Sequence, residues 1–135
     1  MIPEPSKALL DIAMRLGLNV LPNIPDAFNA ADTGLIAQLL MTFSQEFEHA
    51  IEHRLNDIAE MKDLIRGAPQ TAERNTFLAS EPASFALADV NALHDEGTRL
   101  LIELHAWAEI EDDALNNEIW AYLRRHAERH QFALP

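Results

Sequence analysis

The run from Thr33 to Ile65 constrains the fold of this chain more than any other stretch. Ile36, Leu40, Phe43, Phe47, Ile51, Leu55, Ile58, Met61 and Ile65 recur in steps of three and four, the spacing that places side chains on one face of an α-helix. Gln45, His49, Glu52, His53, Asn56, Glu60 and Asp63 occupy the other side. The segment is therefore amphipathic and needs apolar partners along its length. Asp32 or Thr33 is suited to cap its start, Gly67 to take a left-handed conformation at its end, and Pro69 to keep the helix from resuming.

Three further segments carry the same period. Ser6 can cap a short helix bearing Leu9, Ile12, Ala13 and Leu16 and ending near Gly17. Ser84 can cap a longer one with Ala86, Val90, Leu93, Gly97, Leu100, Leu101, Leu104 and Ala108 on one face. Asp112 or Asp113 opens a last helix whose inward positions are Leu115, Ile119, Tyr122, Leu123, His126 and His130. Acidic residues before that helix, and Arg124, Arg125 and Arg129 in its last turns, complement the helix dipole. Between the first two helices, Pro22, Pro25 and several Asn and Asp break the pattern, while Val20, Leu21, Ile24 and Phe28 can anchor an ordered strap. Residues 67–83 read as a long connection, a flexible loop or lid with room for one helical turn around Thr71 to Leu78. The expected fold is all-α: a single domain, 1–135, forming an antiparallel four-helix bundle with two long and two shorter helices at about 6–17, 33–66, 84–111 and 113–131.

Composition narrows the function. With 48% hydrophobic residues the chain can bury a core, and its two valines, one tyrosine and four glycines argue against sheet. A formal net charge of −12 repels phosphate backbones and anionic lipid, so neither nucleic acid nor membrane is an expected partner. No apolar run approaches the roughly 20 residues of a membrane span. The opening Met1-Ile2-Pro3-Glu4-Pro5 lacks the regions of a signal peptide, so the expected location is cytoplasmic. The absence of cysteine removes disulfides, thiolate metal sites and thiol catalysis together.

Chemistry is carried, if anywhere, by six histidines in an acidic helical chain, because imidazole and carboxylate groups inside a bundle can hold iron, manganese or zinc. Di-iron bundles use two Glu-x-x-His motifs, and here Glu46 with His49 is the one copy. At about 100° per residue, His49 and His53 point away from the apolar stripe and should lie in water beside Glu52, Asn56 and Asp57. The best metal candidates are His126 and His130, four apart on the inward face of the last helix, with His105 and Glu109 as a second four-apart pair. No phosphate-binding loop, nucleophile elbow or complete catalytic constellation occurs.

Leu35, Met41, Leu87, Ile102 and Trp120 fall off the main stripes and make a homodimer interface the expected use of their apolar surface. The leading functional expectation is a non-enzymatic bundle acting through protein–protein contact, with no cofactor. The alternatives are a small-molecule or acyl-ligand binder covered by residues 67–83, and a His/Glu metal-binding bundle.

Overall fold

The computed structural model describes residues 2–133 and contains helices joined by short connections, with no strand among the described residues. The α-helices are α1 (Pro5–Arg15), α2 (Ala27–Arg66), α3 (Ala72–Ala79), α4 (Leu87–Glu111) and α5 (Asp113–Arg129). None of the described helices is long and apolar enough to cross a membrane. By its contacts the chain divides into two compact units, Met1–Ala50 with Phe132–Pro135, and Ile51–Gln131. Helix α2 supplies its first part to one unit and its second part to the other.

In the first unit, Pro5 opens α1 at a position where its missing N–H costs nothing. The chain then continues into a wider turn, Leu16–Val20, and a tight one, Leu21–Asn23, so the expected ordered strap is helical in its first part. The side-chain amide of Asn23 donates to the Asn19 carbonyl at 2.8 Å and satisfies a group that Pro22 cannot serve. Helix α2 starts at Ala27, six residues before the expected Thr33, because the Asp26 carboxylate accepts the Asn29 N–H at 2.8 Å and does the capping itself. The buried side of this part of α2 carries small residues, Ala37 and Ser44, and the Ser44 hydroxyl donates to the Ser6 carbonyl of α1 at 2.7 Å. The Gln45 side chain makes two hydrogen bonds, each 2.9 Å, to the backbone of Ala133.

The second unit holds the larger core: Ile58, Met61 and Ile65 of α2, Phe77 of α3, Val90, Leu100, Leu101, Leu104 and Ala108 of α4, and Leu115, Ile119 and Tyr122 of α5. Within residues 67–83 the helical turn expected around Thr71 to Leu78 is present as α3, Ala72–Ala79, which makes the α-helix count five. Helix α3 is capped by the Thr71 hydroxyl, which accepts from the Arg74 N–H at 3.2 Å, and it plants Phe77 in the core. Gly67 does not take the left-handed conformation; no described glycine does. The Gln70 amide closes α2 instead, donating to the carbonyls of Ile65 at 3.0 Å and Ala68 at 2.7 Å. Lys62, nearly buried, donates to the Ser80 carbonyl at 2.5 Å and to Glu81 at 3.2 Å, which ties the end of α3 to α2.

Helix α4 begins at Leu87, three residues later than expected, with Ser84 bonded to Asp89 at 2.6 Å ahead of it. A single residue, Asp112, separates α4 from α5, and its carboxylate caps α5 by accepting the Leu115 N–H at 3.0 Å. Contacts between His105 and Asn116 and between His94 and His126 show that α5 runs back along α4.

Gly97 explains how α3 and α4 come so close. A Cβ built there would lie 2.6 Å from the Phe77 ring tip and 2.9 Å from the Met61 methyl. The substitution Gly97→Ala should therefore lower stability in spite of its helix-propensity gain of about 1 kcal/mol, since overpacking a tight core costs about 1–3 kcal/mol. Adding Phe77→Leu should recover part of the loss in urea unfolding. Independent, additive effects of the two changes would contradict this packing.

A buried carboxylate ringed by imidazoles

The middle of the second unit is polar. Asp57, on α2, has no solvent exposure. Its Oδ2 lies 2.7 Å from His130 Nε2, 3.0 Å from His126 Nδ1 and 3.2 Å from His94 Nε2, while its Oδ1 accepts a hydrogen bond from Arg129. One carboxylate therefore gathers side chains from α4 and from the end of α5. Local helix geometry makes this possible: His126 and His130 stand four apart, one turn, and Arg129 is three on from His126, so all three leave α5 on one side. The rings also meet one another, His126 and His130 at 4.4 Å and His94 and His126 stacked at 6.3 Å. His53, one turn before Asp57, sets its ring edge-on to His130 at 5.4 Å.

Burial pushes the Asp57 carboxyl up, but hydrogen bonds from His94, His130 and His126 more than offset it and hold the group ionised, well below the usual carboxylate range. An ionised carboxylate only accepts, so each imidazole nitrogen facing it carries its hydrogen. Three donors on one oxygen exceed the two lone-pair directions it offers in its plane. Around this centre lies a second carboxylate, Glu60, which accepts from Arg129 and, at 2.8 Å, from Arg125. Arg129 thus bridges the two carboxylates, and its own proton affinity is raised by them against the opposing effect of burial. Burial, with the nearby charge of Asp57 and Glu60, also keeps the Tyr122 phenol protonated well past its ordinary range.

Four residues named from the sequence as metal candidates separate into two places. His126 and His130 join Asp57, and one donor atom from each of these three lies within 4.8 Å of the others. His105 and Glu109 are not in that group: His105 pairs with Asn116 at 3.0 Å and faces Glu109 at 3.9 Å, with Trp120 packed edge-on against its ring. The expectation that Asp57 and His53 stand in water is corrected, since Asp57 is fully buried and His53 half-buried; His49 is exposed as expected. His94 carried no signal of its own, being a lone histidine. The usable clue to Asp57 was its place one turn before Met61 and one turn after His53, beside the buried Ile58. Arg125 and Arg129, read as dipole complements, do sit at the end of α5, and their partners are within the unit.

Next to the ring of imidazoles is a cavity of about 170 Å³ with His94 and His126 at its edge and Leu101, Ile102, Ile119 and Leu123 among its walls. No residue of 67–83, the expected cover, is among those lining it. Of the expected interface residues, Leu35, Leu87, Ile102 and Trp120 are exposed, and Met41 is half-buried.

Comparison with protein-family models, with curated proteins and with solved structures returned no match to this chain.

Glu60 gives a pH signature. Burial raises its pKa, but the hydrogen bonds from Arg129 and Arg125 lower it further than burial raises it, so the net shift is below the ordinary glutamate value of about 4.3. A carboxylate whose folded pKa is depressed contributes its stability above the unfolded pKa and loses it as pH falls through the folded one. Glu60→Gln should cost about 1 kcal/mol at pH 7, and the difference from the parent should shrink below about pH 4. Urea unfolding across that range is the check, and a constant difference at all pH values would refute the assignment.

Proposed function

We propose that the Ile51–Gln131 unit is a binding module for a divalent transition metal ion, held by Asp57, His126 and His130 with His94 beside them. The observation that carries this reading is the crowding on Asp57 Oδ2: three imidazole nitrogens within 3.2 Å of one fully buried carboxylate oxygen. Two histidines and one carboxylate form a donor set that suits zinc or iron(II) and leaves coordination positions for water or a ligand. The donor atoms lie within 4.8 Å of one another, and an ion held at about 2.0–2.2 Å by each in tetrahedral geometry sets them roughly 3.5 Å apart, so small side-chain shifts admit it. The second layer supports the same reading. Arg129 fixes the far oxygen of Asp57 and is itself fixed by Glu60, the kind of outer hydrogen bonding that orients metal-binding carboxylates. On binding, the ion takes the place of the hydrogens that the imidazoles now direct at the carboxylate, and since protons compete with it for the same nitrogens, binding weakens as pH falls.

Metal binding thus moves ahead of protein contact, the reading favoured by the sequence, because the geometry joins a histidine pair to a buried anion that the sequence alone left in solvent. Protein contact keeps support of its own from the exposed apolar side chains of the other unit.

The test is elemental analysis of untagged protein purified without chelators, followed by cobalt(II) and zinc(II) titration of the stripped chain. One ion per chain is expected, with a visible cobalt spectrum and a rise in Tm that reflects about 2.7 kcal/mol at a hundredfold excess over Kd. Asp57→Ala, His126→Ala and His130→Ala should each abolish stoichiometric binding, whereas His105→Ala should leave it intact. A chain that holds no metal and gains no thermal stability from zinc, iron(II), manganese or cobalt would end this reading.

A further inference from the structure

The first unit presents an apolar surface that its own helices leave open. Phe28, Leu35, Ile36, Leu39, Phe43 and Phe47 of α2 are all exposed, Phe28 at 79% and Phe47 at 64%. At about 100° per residue these six fall within roughly one third of the helix circumference, a stripe unbroken from Leu35 to Phe43 and separated from Phe28 by Asp32 and from Phe47 by Glu46. The opposite side of the same helix is the one that carries the buried Ala37 and Ser44, with Ser44 bonded to α1. Most of what the sequence marks as a core stripe in this part of α2 is therefore displayed outward.

The charge pattern tells what kind of surface it meets. From Thr33 to Gln45 there is not one Asp, Glu, Lys, Arg or His, thirteen residues of helix without an ionisable side chain in a chain of net charge −12. A partner recognised through opposite charge finds nothing to read there. A contact between two identical chains has the reverse requirement: across a two-fold axis each residue meets copies of its own neighbours, so any charge on a strongly acidic chain would face its like. The uncharged middle of the stripe, Leu35 to Phe43, is what a self-facing surface needs. The size agrees. Taking about 200 Å² for a fully exposed large apolar residue, the six display roughly 700 Å² per chain, close to the roughly 800 Å² per partner of a standard stable interface. A lipid surface fits less well, because helices that lie on membranes carry Lys and Arg along their polar face, and Lys7 and Arg15 are the only two such residues in 1–50.

We infer that a second copy of this chain covers the stripe, the α1 and α2 segments of two chains packing into four helices around a two-fold axis. This inference is independent of the metal reading. It also relocates the expected homodimer: Leu35 lies in the stripe, while Leu87, Ile102 and Trp120 belong to the other unit and stay outside the contact.

Sedimentation equilibrium of the full chain at micromolar concentration should give twice the chain mass of 15.2 kDa. Phe43→Glu should return the single-chain mass with helicity by circular dichroism preserved. Because a buried glutamate could also perturb folding, the milder pair Ile36→Gln with Phe43→Gln is made alongside and should raise the dimer dissociation constant at least tenfold. Trp120→Glu should leave the dimer unchanged. The inference is overturned by a parent chain that sediments at the single-chain mass, by a dimer that survives the paired glutamines, or by dissociation on Trp120→Glu. It is equally overturned by a parent chain that remains single and floats with phosphatidylcholine or phosphatidylserine vesicles.

Discussion

The second unit is arranged about the cost of burying one negative charge. A carboxylate taken out of water is tolerated only where donors replace its hydration, and the protein meets that demand with groups from two other helices at once. Asp57 cannot be satisfied unless α4 brings His94 and α5 brings His126, Arg129 and His130 to the same point. The polar centre thus does for orientation what the surrounding Ile58, Met61, Leu101, Leu104 and Ile119 cannot, because apolar contacts are non-directional and would accept small slips of one helix along another. Replacing such a centre by apolar side chains is often neutral for stability in other proteins. What the centre adds is therefore direction more than strength.

The surroundings reinforce that view. Arg129 is shared between Asp57 and Glu60, Arg125 adds to Glu60, and the core closes around them with no buried side-chain polar atom left unpaired among the described residues. Asp57, His94 and His126 therefore sit on regular helix and His130 on the C-terminal cap of α5, braced from behind by a charged layer. Sites built in that way hold their geometry more tightly than sites built on loops. The small cavity touching His94 and His126 adds an apolar approach from the α4–α5 side.

Much of the fold was legible in the residue pattern. The stripes of α4 and α5, the Asp112 cap and the inward direction of His126 and His130 all follow from three-and-four spacing and cap chemistry, which are local rules. Where reading failed, the deciding partner was distant in sequence. The face of α2 holding Asp57 counts as polar by periodicity, and only α5, about seventy residues later, turns it into an interior. Phe77 likewise belongs to a short, weakly patterned helix, and it becomes core only because Gly97 leaves room for its ring. The first part of α2 failed in the opposite sense. Its apolar stripe was read as buried, yet the short α1 occupies the small-residue side, Ala37 and Ser44, where two helices can approach closely.

The one-residue junction at Asp112 has a further meaning for α5. Since the helix starts directly at the cap, the direction of every side chain on it is set by counting from that residue. His126 and His130 lie fourteen and eighteen positions on, close to four and five full turns at 3.6 residues per turn, so they leave the helix on nearly the same bearing as the cap itself. Helix α5 works as a graduated rod clamped at one end. Its calibration is kept by the length of the junction, and a chain free to vary its loops elsewhere has almost no latitude at this one.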